Sequence, residues 1–217
     1  MVRENFKTDL NELKEDVMFM MDKVEELIEK SVDALVNQDL ELARSIMKLD
    51  DEIDNCMYEI EEKAINLIAL QQPMARDLRI VFSVSKMITD LERIGDFCVN
   101  ISKETIKIGK EEHIKQLVDI PKIKEIIINM MKNLKISFKL EDAEIAFEVG
   151  KEDELVDDLY KDIYRDILNM IHESTECTNQ GTKLLFVGRY LERIADHITN
   201  ICERVIYISK GERIEIN

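Results

Sequence analysis

The chain has 217 residues, with 30 Lys and Arg against 46 Asp and Glu, for a formal charge of −16. That length holds one domain or two small ones with a sizeable core, and a 45% apolar share excludes a disordered tail protein. Two prolines and six glycines are too few to punctuate a many-turned β-sandwich, which leaves helices. The negative charge makes nucleic acid and anionic lipid poor general partners and favours cations and basic protein surfaces.

The longest purely apolar run is Val17 to Met21, far short of the ~20 residues of a membrane span. Charges of both signs in residues 3–16 argue against a signal peptide. Cys56, Cys98, Cys177 and Cys202 lie far apart without a CxxC spacing and are expected to be reduced thiols of a cytoplasmic protein.

Taken in chain order, Phe6, Leu10, Leu13, Val17, Met20, Val24, Leu27, Ser31 and Leu35 alternate steps of four and three, the seam of a first helix. Asp39 is placed to cap a second helix, whose inner face carries Ile46, Leu49, Ile53, Ile60 and Leu67 and which ends near Gln71. Pro73 suits the first turn of a third helix running to about Gly109. Residues 110–119 are polar and form the one plausible linker. Pro121 opens a fourth helix ending near Lys139, and a fifth runs from about Asp142 to Glu173. A sixth spans about Thr178 to Lys210, with Gly211 as its stop.

The chain also repeats itself. Residues 33–54 align without a gap on 136–157, so that Asp39, Glu41, Ala43, Lys48, Asp50 and Asp54 fall on Asp142, Glu144, Ala146, Lys151, Asp153 and Asp157. Further on, LERIGDFCVNI (91–101) falls on LERIADHITNI (191–201), which requires three extra residues in the first copy around Gln71 to Asp77. The expected fold is all-α: six long helices as two tandem three-helix bundles, residues 1–110 and 120–217.

Each repeat places acids one helical turn apart on two helices. The middle helices carry Asp50 with Asp54 and Asp153 with Asp157; the last helices carry Glu92 with Asp96 and Glu192 with Asp196. In the last helices each acid follows a seam residue (Leu91, Gly95, Leu191, Ala195), which sets it at the flank of the apolar stripe. Asn100 and Asn200 extend the rows by a turn. Each like-charge pair at ~4 Å costs about 1 kcal/mol in bulk water and about 4 at an effective dielectric near 20, so converging rows must take up protons or a cation. Oxygen ligands suit Mg, Ca, Mn, Fe or Zn. A lone ExxxD is ordinarily a solvated face; what points further is recurrence on both helices of both repeats. Arg93 and Arg193 can neutralise part of the charge, although they start on a different helix face.

Other candidates carry less. His197 follows Asp196, but its counterpart is Phe97, which favours packing or a surface hydrogen bond; His113 and His172 read as surface residues. The cysteines and the methionines, such as Met20, Met130 and Met170, suit a core. Gly181-Thr182-Lys183 lacks the first glycine of a phosphate-binding loop and sits within helix. No Glu-x-x-His pair of a di-iron oxidase, no Gly-rich nucleotide loop and no Ser or Cys beside a His base is present, so the sequence suggests no catalytic machinery.

QQPMARDLR (71–79), DLERIGDFCVNI (90–101) and YLERIADHITNICERVIYI (190–208) resemble the PhoU family across essentially the whole chain. The resemblance implies two three-helix bundles whose acidic motifs hold multinuclear iron or zinc, or another divalent cation. By position the ligands would be Asp50, Asp54, Glu92 and Asp96 in the first repeat, and Asp153, Asp157, Glu192 and Asp196 in the second. Phe97 departs from the polar residue or His of many relatives. The implied role is a non-catalytic, cytoplasmic regulator of phosphate uptake and starvation signalling. It would contact the ATPase subunit of the ABC phosphate importer and the sensor histidine kinase, commonly as a homodimer and without nucleic acid. A carboxylate-bridged metalloenzyme, a metal-free helical interaction module and an accessory protein of a different phosphate permease are the alternatives.

Overall fold

The computed structural model describes residues 2–71 and 73–216, with side chains from Phe6 onward. Among them are seven α-helices and no strand: α1 (Val2–Val36), α2 (Leu40–Gln71), α3 (Ala75–Ile108), α4 (Asp119–Leu140), α5 (Ala143–Lys151), α6 (Asp153–Glu173) and α7 (Thr178–Lys210). A 3-10 turn at Thr175–Cys177 precedes α7. The expected all-α class is what is observed. Gln72, inside the motif at 71–79, lies outside the described residues.

The seam of α1 is buried at every predicted position from Phe6 to Leu35, Ser31 included. Burial of such a stripe, at about 25 cal/mol per Å² of apolar surface, is what holds a helix this long in place, since propensity alone leaves helices marginal. Both middle helices begin the same way. The Asp39 carboxylate accepts from the amides of Glu41 (3.1 Å) and Leu42 (2.9 Å), and that of Asp142 accepts from Glu144 (2.8 Å) and Ile145 (3.1 Å). Just before them Gln38 and Glu141 take up the left-handed conformation, φ 52° and 53°, that turns the chain between antiparallel helices. Replacing either cap, Asp39→Ala or Asp142→Ala, is expected to cost about 1 kcal/mol in urea unfolding, with Asn at the same position costing a few tenths. An Ala variant with an unchanged midpoint would show that packing alone sets these helix starts.

Three local expectations are corrected. The predicted fifth helix is broken at Glu152 into α5 and α6. The Thr199 hydroxyl donates to the Gly150 carbonyl (3.4 Å), and the ladder tightens to Glu152 N–H to Val149 O (3.1 Å) and Leu155 N–H to Glu152 O (3.0 Å). Pro73 precedes α3 instead of sitting in its first turn, because the cap residue Met74 is extended (φ −93°, ψ 149°) and the helix starts at Ala75. At the offset of 100 the first turn of α3, Ala75 to Asp77, falls on the 3-10 turn Thr175–Cys177 of the second copy. Finally, His113 is half-buried in the connection between α3 and α4, its Nε2 lying 3.2 Å from the Leu35 carbonyl, and is not a free surface residue. The same connection is held by Gln180, which accepts from the Ile114 amide (2.7 Å) and donates to the Glu112 carbonyl (3.1 Å). Lys115 pairs with Asp166 at 2.9 Å.

Helices α1, α2 and α3 pack on one another, as do α4, α5, α6 and α7. The two groups meet mainly where α3 lies along α7, and secondarily where α1 meets α4. All four cysteines are free thiols, with Cys98 and Cys202 buried and Cys56 and Cys177 half-buried. Burial pushes the Cys98 thiol up to about 12, so it is inert packing and not a thiolate ligand. Among the described residues no helix is long and apolar enough to cross a membrane.

Candidate functional site

The carboxylate rows converge where α2 lies on α3. Ile53 and Leu91 anchor the two helices in the core, and Gly95 lets them close up. A methyl group at position 95 would stand 2.6 Å from the Asp50 carboxylate and 3.4 Å from Ile53 Cδ1, so Asp50 occupies the space that the missing side chain leaves. Asp50 is half-buried there, and its carboxyl titrates at about 6. Burial is the main cause, followed by the charges of Asp54, Asp96 and Glu92. Glu92 is also raised, by burial and Asp96, with Arg93 opposing and Asp54 adding to the effect. All four predicted residues of the first repeat therefore share one field.

The second repeat brings Glu192, Asp157 and Asp196 together in the same manner: burial and Asp196 raise Glu192, Arg189 and Arg193 pull it down, and Asp157 adds repulsion. Asp153 is buried at the start of α6. Position 195 is alanine, yet Asp153, the counterpart of Asp50, is buried more deeply, at 3% exposure.

The arginines do more than their starting face suggests. Arg93 reaches Asp96 at 2.9 Å and Glu92 at 3.5 Å; Arg193 reaches Asp196 at 2.8 Å and Glu192 at 3.6 Å. Spacing of three residues returns to the same side of a helix, which corrects the expectation. Sequence reasoning passed over Arg189, which pairs with Glu192. Its counterpart is Thr89, so the second cluster carries two arginines and the first only one. The first cluster is the more anionic, despite Phe97.

Phe97 does not face the carboxylates. It lies in the α3/α7 seam, its ring 5.9 Å from Tyr190 and 5.7 Å from His197. His197 Nδ1 is 2.8 Å from Asp90 Oδ1, and Asn200 donates to the same oxygen at 3.4 Å, so Asn200 leaves the acidic row and crosses the seam. Asp90 was not singled out from the sequence, although it begins the DLERIGD motif. His172 is exposed, as expected.

The donor set suits a hard or borderline cation in charge and in element. Its present geometry does not coordinate one: among the described residues no three His, Cys, Asp or Glu side chains stand close enough to hold a single ion. The rows therefore act in this arrangement as two half-buried acidic clusters, the first holding a carboxyl ready to take up a proton or a counter-charge.

Comparison with known proteins agrees with the fold and its repeat. The family model described as PhoU domain matches twice, at residues 17–105 and 120–205. A Clostridium acetobutylicum protein, named phosphate-specific transport system accessory protein PhoU homolog, is 40% identical over 218 residues, covering all of both chains. An Aquifex aeolicus protein of the same name is 39% identical over 207 residues, 95% of this chain and 94% of that one. Among solved structures, PhoU from Streptococcus pneumoniae superposes with a TM-score of 0.91 at 30% identity, covering 96% of this chain and 99% of that one. PhoU from Pseudomonas aeruginosa does so with 0.91 at 31%, covering 95% and 100%. With two copies of the family's unit, matching chain length and a shared helical architecture, this chain belongs to the PhoU domain family.

Proposed function

We propose that this chain is a regulatory accessory protein of a phosphate-specific transport system, a non-catalytic adaptor acting in the cytoplasm. The observation that carries the reading is end-to-end similarity to relatives named as such accessory proteins. Its finer content is an adaptor, acting as a homodimer, that contacts the ATPase subunit of an ABC phosphate importer and a sensor histidine kinase and restrains uptake when phosphate is plentiful. A rigid helical body of charge −16 suits that task, because complementary charge orients a basic partner and speeds its encounter more than it adds affinity. Residues 1–110 and 120–217 would serve as two similar docking units. The carboxylate clusters are where a divalent cation, iron or zinc by family resemblance, would be taken up; such an ion would neutralise the repulsion among Asp50, Asp54, Glu92 and Asp96 and among their counterparts Asp153, Asp157, Glu192 and Asp196.

Cross-linking in phosphate-replete cells, followed by recovery of this chain and mass spectrometry, is expected to bring down an importer ATPase. Deleting the chain is expected to switch on a phosphate-starvation reporter in the same medium. Failure of both would sink the adaptor reading. Metal analysis of the purified chain, with calorimetric titration of zinc or iron(II) into parent and Asp54→Asn/Asp96→Asn protein, addresses the cation separately. Equal titration curves would remove the clusters from consideration.

A further inference from the structure

The contact between α3 and α7 follows a regular antiparallel register. Asp90 meets His197 and Phe97 meets Tyr190, while Lys183 donates to the Lys107 carbonyl (3.1 Å) at one end and Arg79 lies against Gly211 at the other. Stepping by sevens along each helix, the stripe on α3 is Ser83, Asp90, Phe97 and Glu104, and that on α7 is Lys183, Tyr190, His197 and Arg204. The register sets Glu104 level with Lys183, Phe97 with Tyr190, Asp90 with His197, and Ser83 with Arg204. Asp90 thus meets His197 and Phe97 meets Tyr190, while Glu104, level with Lys183, pairs with Lys107 of its own helix at 2.7 Å. The Ser83/Arg204 layer alone has a cation and no anion.

The unfilled hydrogen bonds fall at the same place. Among the described residues four serines are buried. Ser31, Ser102 and Ser137 turn their hydroxyls back to helix carbonyls, the usual resolution for a helical serine. Ser83 is fully buried and its hydroxyl has no partner. Arg204 Nε is buried without a partner, and so is Nε of Arg79, one turn further out on α3. Neither guanidinium makes an ion pair among the described residues, in a chain whose acids outnumber its bases by sixteen. The acids nearby are engaged elsewhere: Asp90 by His197 and Asn200, and Glu203 by the Ile216 amide at 3.1 Å. Buried donors of a charged group left unmade are costly, and such groups are ordinarily satisfied by a ligand, an ion or ordered water.

We propose that Arg204, Arg79 and Ser83 form a binding site for a small tetrahedral oxyanion of the inorganic phosphate class at this end of the α3/α7 seam. The register sets Arg204 level with Ser83, and Arg79 stands one turn from Ser83 on α3, so two guanidiniums and a hydroxyl supply the donors that such an anion accepts, and arginine's planar fork suits its oxygens. The site lies at the seam, apart from the carboxylate clusters, and does not depend on the accessory role. If the role is right, the anion is one the protein would meet at its own place of work.

The test uses the full chain in phosphate-free buffer with chelator, so that the carboxylate clusters do not contribute. Thermal unfolding is followed while inorganic phosphate is raised to about 10 mM at constant ionic strength, since a ligand of the folded state lifts the transition with the logarithm of its concentration. The parent is expected to melt higher in phosphate than in matched chloride. Arg204→Met is expected to bind phosphate roughly tenfold more weakly or worse, and Arg79→Met and Ser83→Ala several-fold more weakly. Lys132→Met, an exposed cation on α4, should behave as the parent. Sulfate acting like phosphate would also support an oxyanion site. A parent that responds no more to phosphate than to chloride, or an Arg204→Met protein that responds in full, would overturn the proposal and leave water as the partner of these donors. Should Arg204→Met fail to fold, equilibrium dialysis of labelled phosphate against parent and Ser83→Ala gives the same decision.

Discussion

Asp50→Asn is expected to make the folded chain more stable at pH 8 and to leave it unchanged at pH 4. The Asp50 carboxyl titrates at about 6 in the fold, because it is half-buried and faces Asp54, Asp96 and Glu92, while the ordinary value is 3.8. Between those pH values the folded chain keeps a proton that the unfolded chain has released. Stability from this group is therefore greatest below pH 4 and is lost as pH rises through 6. The difference amounts to about 3 kcal/mol before screening. Solvent reaches the carboxyl, so about 1–2 kcal/mol is the expected gain on removing the charge with a side chain of the same shape. For a chain of this size that is a rise in melting temperature of roughly 2–8 °C. Melting curves in chelator at pH 8 and pH 4 check it. An Asn variant that melts below the parent at pH 8 would mean that the carboxylate is held by a favourable partner and not opposed by its neighbours. Adding a divalent cation at pH 8 should raise the parent and do less for the variant.

Substitutions at Gly95 should separate the slot from the packing around it. In Gly95→Ala the new methyl meets the Asp50 carboxylate first, at 2.6 Å, and Ile53 only at 3.4 Å. The end of a short polar side chain can swing outward toward water, and alanine gains up to about 1 kcal/mol in helix propensity over glycine. The Ala variant should therefore keep the parent's stability within about 1 kcal/mol while losing the pH dependence near 6. Gly95→Val adds two branches that reach Ile53, a fully packed core residue. Forcing α2 away from α3 costs about 3 kcal/mol and does so at every pH. Denaturant unfolding of the two variants at pH 5 and pH 8 makes the comparison. An Ala variant that retains the Asp50 titration would show that the glycine is not what admits the carboxylate. A Val variant as stable as the parent would show a gap between α2 and α3 that the structure does not have.

Much of the molecule was legible beforehand, for identifiable reasons. A helix buries one stripe, so Leu13, Val17, Met20 and Val24 announced their own burial by spacing. Caps are local, so Asp39 could be placed from the break before it, and its bonds to the next turn recur at its repeat counterpart Asp142. The acidic rows followed from the same period, since residues four apart share a face. Arg189 was legible too: it stands three residues before Glu192, and its counterpart in the first repeat is Thr89.

Other features depend on partners distant in the chain. The break at Glu152 answers to Thr199, which draws on the Gly150 carbonyl from another helix. His113 looks like a polar linker residue until the turn after α1 presents the Leu35 carbonyl to it. The raised carboxyl of Asp50 emerges only when α2 is laid on α3 and Asp50 enters the space at Gly95. Asp90 acquires its role only across the seam, from His197.

By itself the sequence determined the all-α class, the duplicated helical units, the capped helix starts and the faces on which the acids stand. These follow from interactions within a few residues, through the period of the helix and the needs of its unpaired amides. Only the tertiary structure decided which acids are buried and raised, and which donors along the α3/α7 seam are left without an acceptor. Those depend on how closely two helices approach and on the register between them, and neither distance is written in the local pattern of either helix.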